Sequence, residues 1–129
     1  MKTFLLDGND FSTLLSFYSA VEKVFTKDLG WKIGRNLDAF NDILRGGFGV
    51  HDYEEPVRLI WLHSGKSQED LGWEETVKYL SAKLTTCHPS NTESVKKDLI
   101  LAKTHAGKTI FELIIDIIER HDHIELSLQ

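Results

Sequence analysis

Six residues near the middle of the chain, Val57-Arg58-Leu59-Ile60-Trp61-Leu62, are apolar at every position but one. A run this short and this apolar suits an interior strand of a parallel sheet covered on both faces, because such a strand has no polar side to alternate with. Pro56 stands just before it, where a missing N–H does least harm to a ladder. Parallel neighbours cannot be joined by tight turns, so the connections must be crossovers, for which helices are the usual device. Residues 2–6 are a short apolar strand candidate, and residues 123–128 alternate as a final strand. Helical patterns fill the intervals. The order predicts a small α/β layer structure in one domain, residues 1–129, with no repeat or linker long enough to divide it.

The first interval opens with a turn cluster, Asp7-Gly8-Asn9-Asp10, whose Asp10 is placed to cap a helix in which Leu14, Phe17, Tyr18, Val21, Val24 and Phe25 keep a helical period. In the second, Ser67 followed by Asp70 reads as a cap to a helical run through Leu84, with a break at residues 87–91. Residues 92–104 form a further run with Val95, Leu99 and Ala102 on one face, so an extra helical pair is expected. Thr109-Ile110-Phe111-Glu112 is a capping box. Residues 110–118 are so apolar that this last helix must be largely buried. Glu112, Asp116, Glu119 and Arg120 form its exposed stripe, with an i, i+4 ion pair expected along it.

The segment from Gly34 to Gly46 carries most of the functional signal. Asn36 is a good N-cap, Leu37, Phe40 and Leu44 share an apolar face, and Gly46 and Gly47 end the helix. Asp38 and Asp42 stack four apart on the exposed side. Like charges at that spacing cost an isolated helix about 0.2–0.5 kcal/mol, and the helix N-terminus offsets this better at Asp38 than at Asp42.

The pattern Gly-x-Asn-Leu-Asp-Ala-(apolar)-x-Asp-x-Leu-x-Gly, unbroken here from Gly34 to Gly46, resembles the barstar family of intracellular inhibitors of barnase-type ribonucleases. The resemblance extends more loosely to the first strand and helix, the middle strand, and the last helix and strand. It implies a three-stranded parallel sheet packed with helices, and marks residues about 65–107 as a longer, inserted segment. It further implies that the acidic helix and the loop before it enter an electropositive ribonuclease active site, where carboxylates stand in for RNA phosphate. The residue matching Asp42 is the family's central contact. Asp38 matches a flanking contact and Asp116 one of two glutamates on the family's last helix; Trp31, Ile33 and Arg35 in the preceding loop, and Asn36 and Gly46 at the helix ends, are placed with them as partner-binding candidates. The chain departs from the family's type member in having Lys32 and Ile33 for tyrosines, Asn41 and Gly47 for tryptophans, and Arg120 for a second glutamate on the last helix.

Charge distribution agrees with a basic protein partner. The formal net charge is −5, which disfavours direct binding of nucleic acid. Residues 36–75 carry nine acids against three bases, whereas residues 77–108 carry six lysines against two acids. The single cysteine, Cys87, permits no internal disulfide and fits a reducing compartment. No run reaches membrane-spanning length, so the chain reads as cytoplasmic. No cofactor is called for, and the oligomeric state is left open. Two other readings stand beside inhibition. One is an interaction module with a different protein partner. The other is a metal-binding enzyme using the paired acids or His121 and His123, since histidines flanking an acid can ligate zinc.

Overall fold

The apolar run at the centre of the sequence is the central strand. In the computed structural model, which describes residues 1–26, 34–47 and 51–129, β2 (Val57–Leu62) lies between β1 (Lys2–Asp7) and β3 (Ile124–Leu128), both parallel to it. Lys2 stands opposite Val57 and Leu6 opposite Trp61; on the other side Val57 stands opposite Ile124.

The expectation that this strand is covered on both faces does not hold. Val57, Leu59 and Trp61 are 0, 1 and 0% exposed. Arg58 on the other face is open to solvent, and its guanidinium donates to Glu125 Oε2 of β3 at 3.3 Å. Ile60 and Leu62 are only partly covered, and Leu5 is exposed. The helical core meets one side of the sheet, formed by Phe4, Leu6, Val57, Leu59, Trp61 and Ile124. The alternation was hidden because two of the three residues on the outer face of β2 are nevertheless aliphatic.

Among the described residues, α1 (Leu14–Phe25) and α2 (Leu37–Leu44) lie between β1 and β2. Four helices connect β2 to β3: α3 (Ser64–Asp70), α4 (Trp73–Thr86), α5 (Thr92–Lys103) and α6 (Ile110–Glu119). The cap of α1 is Thr13, not Asp10. Thr13 Oγ1 accepts the Ser16 N–H at 3.1 Å and Ser16 Oγ accepts the Thr13 N–H at 2.9 Å. Asp10 instead closes a short 3-10 turn, Gly8–Asp10, in which the Asp7 carboxylate accepts the Asn9 N–H.

Ser67 is also not a cap. It sits buried inside α3 and accepts the Trp61 Nε1–H at 3.0 Å. The hydroxyl looked like helix punctuation in the sequence because a buried partner for an indole carries no local signal. The helix breaks at Leu71-Gly72 instead, and the Leu71 carbonyl accepts the Phe111 N–H of α6 at 3.0 Å. The buried Thr76 hydroxyl donates to the Gly72 carbonyl at 2.7 Å and accepts the Ile110 N–H at 2.8 Å, which fastens α4 to the start of α6. On its other side α4 is fastened to α1, since Glu75 Oε1 accepts the Leu14 N–H at 2.9 Å. The expected helical pair is α4 with α5, joined by buried Leu80, Val95 and Ala102 and by the stacked rings of Trp73 and His105, 5.5 Å apart.

In α6 the Thr109–Glu112 capping box forms as the sequence implies, and Ile110, Phe111, Ile114, Ile117 and Ile118 are buried. The expected Asp116–Arg120 ion pair does not form. Asp116 pairs with Lys108, ahead of the helix. Among the described residues no helix is long and apolar enough to cross a membrane.

Candidate functional site

The helix α2 is positioned by its own short sequence. Asn36 adopts an extended conformation and its Oδ1 accepts the Ala39 N–H at 2.7 Å, filling one of the vacant first-turn donors. Phe40, Ile43 and Leu44 are buried, with the Phe40 ring edge-on to Phe17 of α1 at 5.2 Å. The anchored face leaves Asp38 and Asp42 exposed on the other side. Neither carboxylate is paired with a cation among the described residues. Asp38, in the first turn, gains from the helix dipole. Asp42 lies within the last turn, where the dipole disfavours it by a few tenths of a kcal/mol, up to about 1.

The other site residues read from the sequence are distributed unevenly. Arg35 is turned back onto α1, with its guanidinium donating to Ser19 Oγ at 3.2 Å and to Glu22 Oε2 at 3.2 Å. Gly46 is buried and therefore structural in this conformation. Its φ is +92°, and a Cβ there would fall 2.2 Å from the Asp52 carbonyl oxygen. The Gly47 N–H donates to the His51 carbonyl at 2.8 Å, which brings His51 and Asp52 against this point. Asp116 is partly buried, engaged by Lys108, and lines neither of the hollows that flank α2. Trp31 and Ile33 lie outside the described residues.

Gly46 yields a direct test of this geometry. Gly46→Ala combines a left-handed backbone with a backbone clash and should destabilise the chain by more than about 1 kcal/mol. Gly47→Ala, at φ +87° with nothing within 4 Å of the added Cβ, carries the backbone penalty alone. Urea unfolding should rank Gly46→Ala clearly below Gly47→Ala.

Among the described residues, two hollows lie beside α2. At the N-terminal end of α2, a groove of about 590 Å³ runs between α1, α2 and α4. It is lined by Leu37 and Asp38 of α2, Leu15 and Tyr18 of α1, and Lys78 and Tyr79 of α4. Burial pushes the Tyr18 hydroxyl well above the usual phenol range, with Tyr79 and Asp38 adding to the shift. At the C-terminal end, a hollow of about 770 Å³ is lined by Asn41 and Arg45 of α2, Glu54, Arg120, His121 and His123. Sequence reasoning missed the α4 wall and the place of Arg45 beside Arg120, which the sequence marks only as a departure from the family. The positions of Lys78 and Tyr79 beside Asp38 follow only from how α4 is fastened to α1 and α6.

His121 and His123 do not form a metal site with each other. His121 Nε2 is 2.7 Å from Asn41 Oδ1 and His123 Nε2 is 2.9 Å from the Leu44 carbonyl oxygen. Among the described residues no group of three His, Cys, Asp or Glu side chains is arranged to hold a metal ion.

A three-stranded parallel sheet backed by helices, with an anchored helix presenting unpaired carboxylates, defines a small α/β protein built around an exposed acidic helix. The sequence model of the barstar (barnase inhibitor) family matches residues 1–96 of the 129, from β1 into α5. The chain belongs to the barstar family, a family of inhibitors of barnase-type ribonucleases rather than of enzymes. The matched region takes in α2, and also α3, α4 and part of the segment read as inserted; α6 and β3, with Asp116, lie beyond it. No curated protein and no solved structure matches the chain.

Proposed function

We propose that this protein binds a basic ribonuclease, or a ribonuclease-like toxin, and occludes its active site with the exposed face of α2. The observation that carries the reading is the pair Asp38 and Asp42, solvent-facing and unpaired on a helix whose other face is locked in the core. Elsewhere in the chain Asp70, Asp116 and Glu125 are ion-paired, and Asp7 Oδ1 lies 2.9 Å from His63 Nδ1. Carboxylates held on a rigid helix can accept charge-assisted hydrogen bonds from the Arg and Lys groups that would otherwise hold RNA phosphate. Asn36 fixes the first turn, and Trp31 and Ile33, just before it in the sequence, are proposed to flank the contact. Asp116 contributes where a partner displaces Lys108.

A second reading, an interaction module for a different protein, draws support from Arg45 and Arg120. Neither guanidinium has an acidic partner among the described residues, and both line the hollow beside α2. A partner wholly basic at its contact surface would meet these two charges unfavourably.

The deciding experiment is quantitative affinity capture from the source organism's lysate, comparing wild type with Asp38→Ala/Asp42→Ala. A basic ribonuclease retained by wild type and lost from the double variant is the expected result, with loss of its RNA cleavage on adding wild type. Equal retention by both proteins would rule out the acidic face as the anchor.

A further inference from the structure

The end of α2 is gripped by three imidazoles that the acidic face does not use. His51 comes from the loop before β2, and His121 and His123 from the turn between α6 and β3. His51 Nε2 and His123 Nε2 lie 3.3 and 2.9 Å from one acceptor, the Leu44 carbonyl oxygen, while His121 Nε2 lies 2.7 Å from Asn41 Oδ1. A carbonyl only accepts, so both Nε2 atoms at Leu44 carry hydrogen, and in the neutral ring Nδ1 is bare. With Asn41 Oδ1 accepting, the same holds for His121. Two of these donors therefore supply a carbonyl of the last turn, which has no acceptor role left within the helix.

Any further proton must go to Nδ1. His51 is 2% exposed, and its Nδ1 has no hydrogen-bond partner. A new N–H there, with its charge, would be buried without an acceptor. The rings are also crowded: the centroids of His51 and His123 are 6.4 Å apart and those of His121 and His123 5.6 Å, so charging one opposes charging the next.

The surrounding charges do not resolve this. Lys2 of β1 and Glu55 of the loop act on His51. Arg45 of α2, Glu54 of the loop and Arg120 at the end of α6 act on His121, and Asp122 lines the same hollow as His123. Cations and acids balance, leaving no surplus carboxylate to accept imidazolium. Burial is the largest cause holding both His51 and His121 below the ordinary imidazole value; the neighbouring His123 reinforces it, and the hydrogen bond to the Leu44 carbonyl opposes it at His51 without reversing it. A group depressed in the closed form is protonated first in any opened form. Its stabilising contribution is present above about pH 6.5 and is lost as the pH falls through the depressed value.

We propose that His51, His121 and His123 form a proton-operated latch on α2. With His51 and His121 uncharged, the three rings hold its C-terminal turn docked, and with it the Asp38 and Asp42 face; charging His51 and His121 releases it. The consequence for partner binding rests on the inhibitor reading, but the latch is a property of the free chain and is tested there.

The test is amide hydrogen exchange by NMR on the intact free protein at about pH 7.5 and about pH 5.5, either side of the imidazole range, expressed as protection factors so that intrinsic rates cancel. The Leu44, Arg45 and Gly46 amides are expected to lose protection at the lower pH by about tenfold more than the amides of α1 and β2. In His51→Gln/His121→Gln/His123→Gln, whose side-chain amides can donate but take up no proton, that excess should vanish. A loss uniform across all elements, or an excess that survives in the triple variant, overturns the latch. Should the triple variant fail to fold, ring-proton titration of wild type decides. Midpoints for His51 and His121 below about 6.5, tracking the loosening of α2, support the latch. Midpoints at or above that value overturn it.

Discussion

Trp61→Ala should destabilise the chain by about 3–5 kcal/mol, the range for truncating a large buried aromatic. Trp61 stands on the central strand with no exposed surface, and its ring lies against those of Phe11, Phe17 and Phe111 at 6.1, 5.8 and 5.3 Å. It therefore joins the turn before α1, α1 itself, β2 and α6 at one point. Truncation leaves those rings facing a void, and the elements around it belong to different crossovers that cannot all move inward together. The Ser67 hydroxyl loses its indole partner as well. Trp61→Phe separates the two effects, since it keeps a ring but leaves Ser67 unmatched, at about 1–3 kcal/mol. Urea unfolding measures both. A loss below about 1 kcal/mol for Trp61→Ala would mean that the core does not close on this residue.

Why some elements could be read from the residues, and others not, follows from the range of the interactions that place them. The cap at Asn36, the apolar face of α2, the glycine stop and the Thr109–Glu112 capping box depend on residues within a few positions of one another. Each appears in the structure as the local chemistry requires. The features that differed depend on distant partners. Ser67 reads as a cap by its neighbours and is claimed by Trp61 on another element. Asp116 has a helical neighbour in Arg120 but takes Lys108 instead. His121 and His123, two apart, suggest a ligand pair, yet both are turned to α2, roughly eighty positions away in the chain. The same limit applies to the site. Asp38 and Asp42 were recognisable from their spacing, whereas the α4 wall beside Asp38 exists only because Glu75 and Thr76 fasten α4 to α1 and α6. Arg35 was read as a contact residue from its place in the motif, and its pairing with Glu22 and Ser19 came from the packing of α1.

Asp42→Ala should separate binding from stability in opposite directions. Removing one member of a desolvated, hydrogen-bonded charge pair costs an interface about 2–5 kcal/mol, so affinity for the captured ribonuclease should fall by more than about thirtyfold. The fold should lose nothing. Asp42 makes no side-chain hydrogen bond or ion pair among the described residues, lies near the negative end of its helix, and has Asp38 one turn away. Alanine is also the better helix former, so the variant should be as stable as wild type or more stable by up to about 1 kcal/mol. Glu93→Ala is the matched control, since Glu93 is an exposed acid on α5 with a loose partner in Lys96 at 3.9 Å. It should change binding by less than about 0.5 kcal/mol. Titration calorimetry and urea unfolding on the same three proteins give both axes, and the association rate of wild type should fall as salt rises from low to physiological. Equal loss of affinity in Asp42→Ala and Glu93→Ala would reduce the acidic helix to general surface charge. A stability loss in Asp42→Ala would mean that the carboxylate supports the fold, which its surroundings give it no means to do. A carboxylate that weakens its own helix, with no cation of the described chain paired to it, is what the proposed contact with a basic partner would account for.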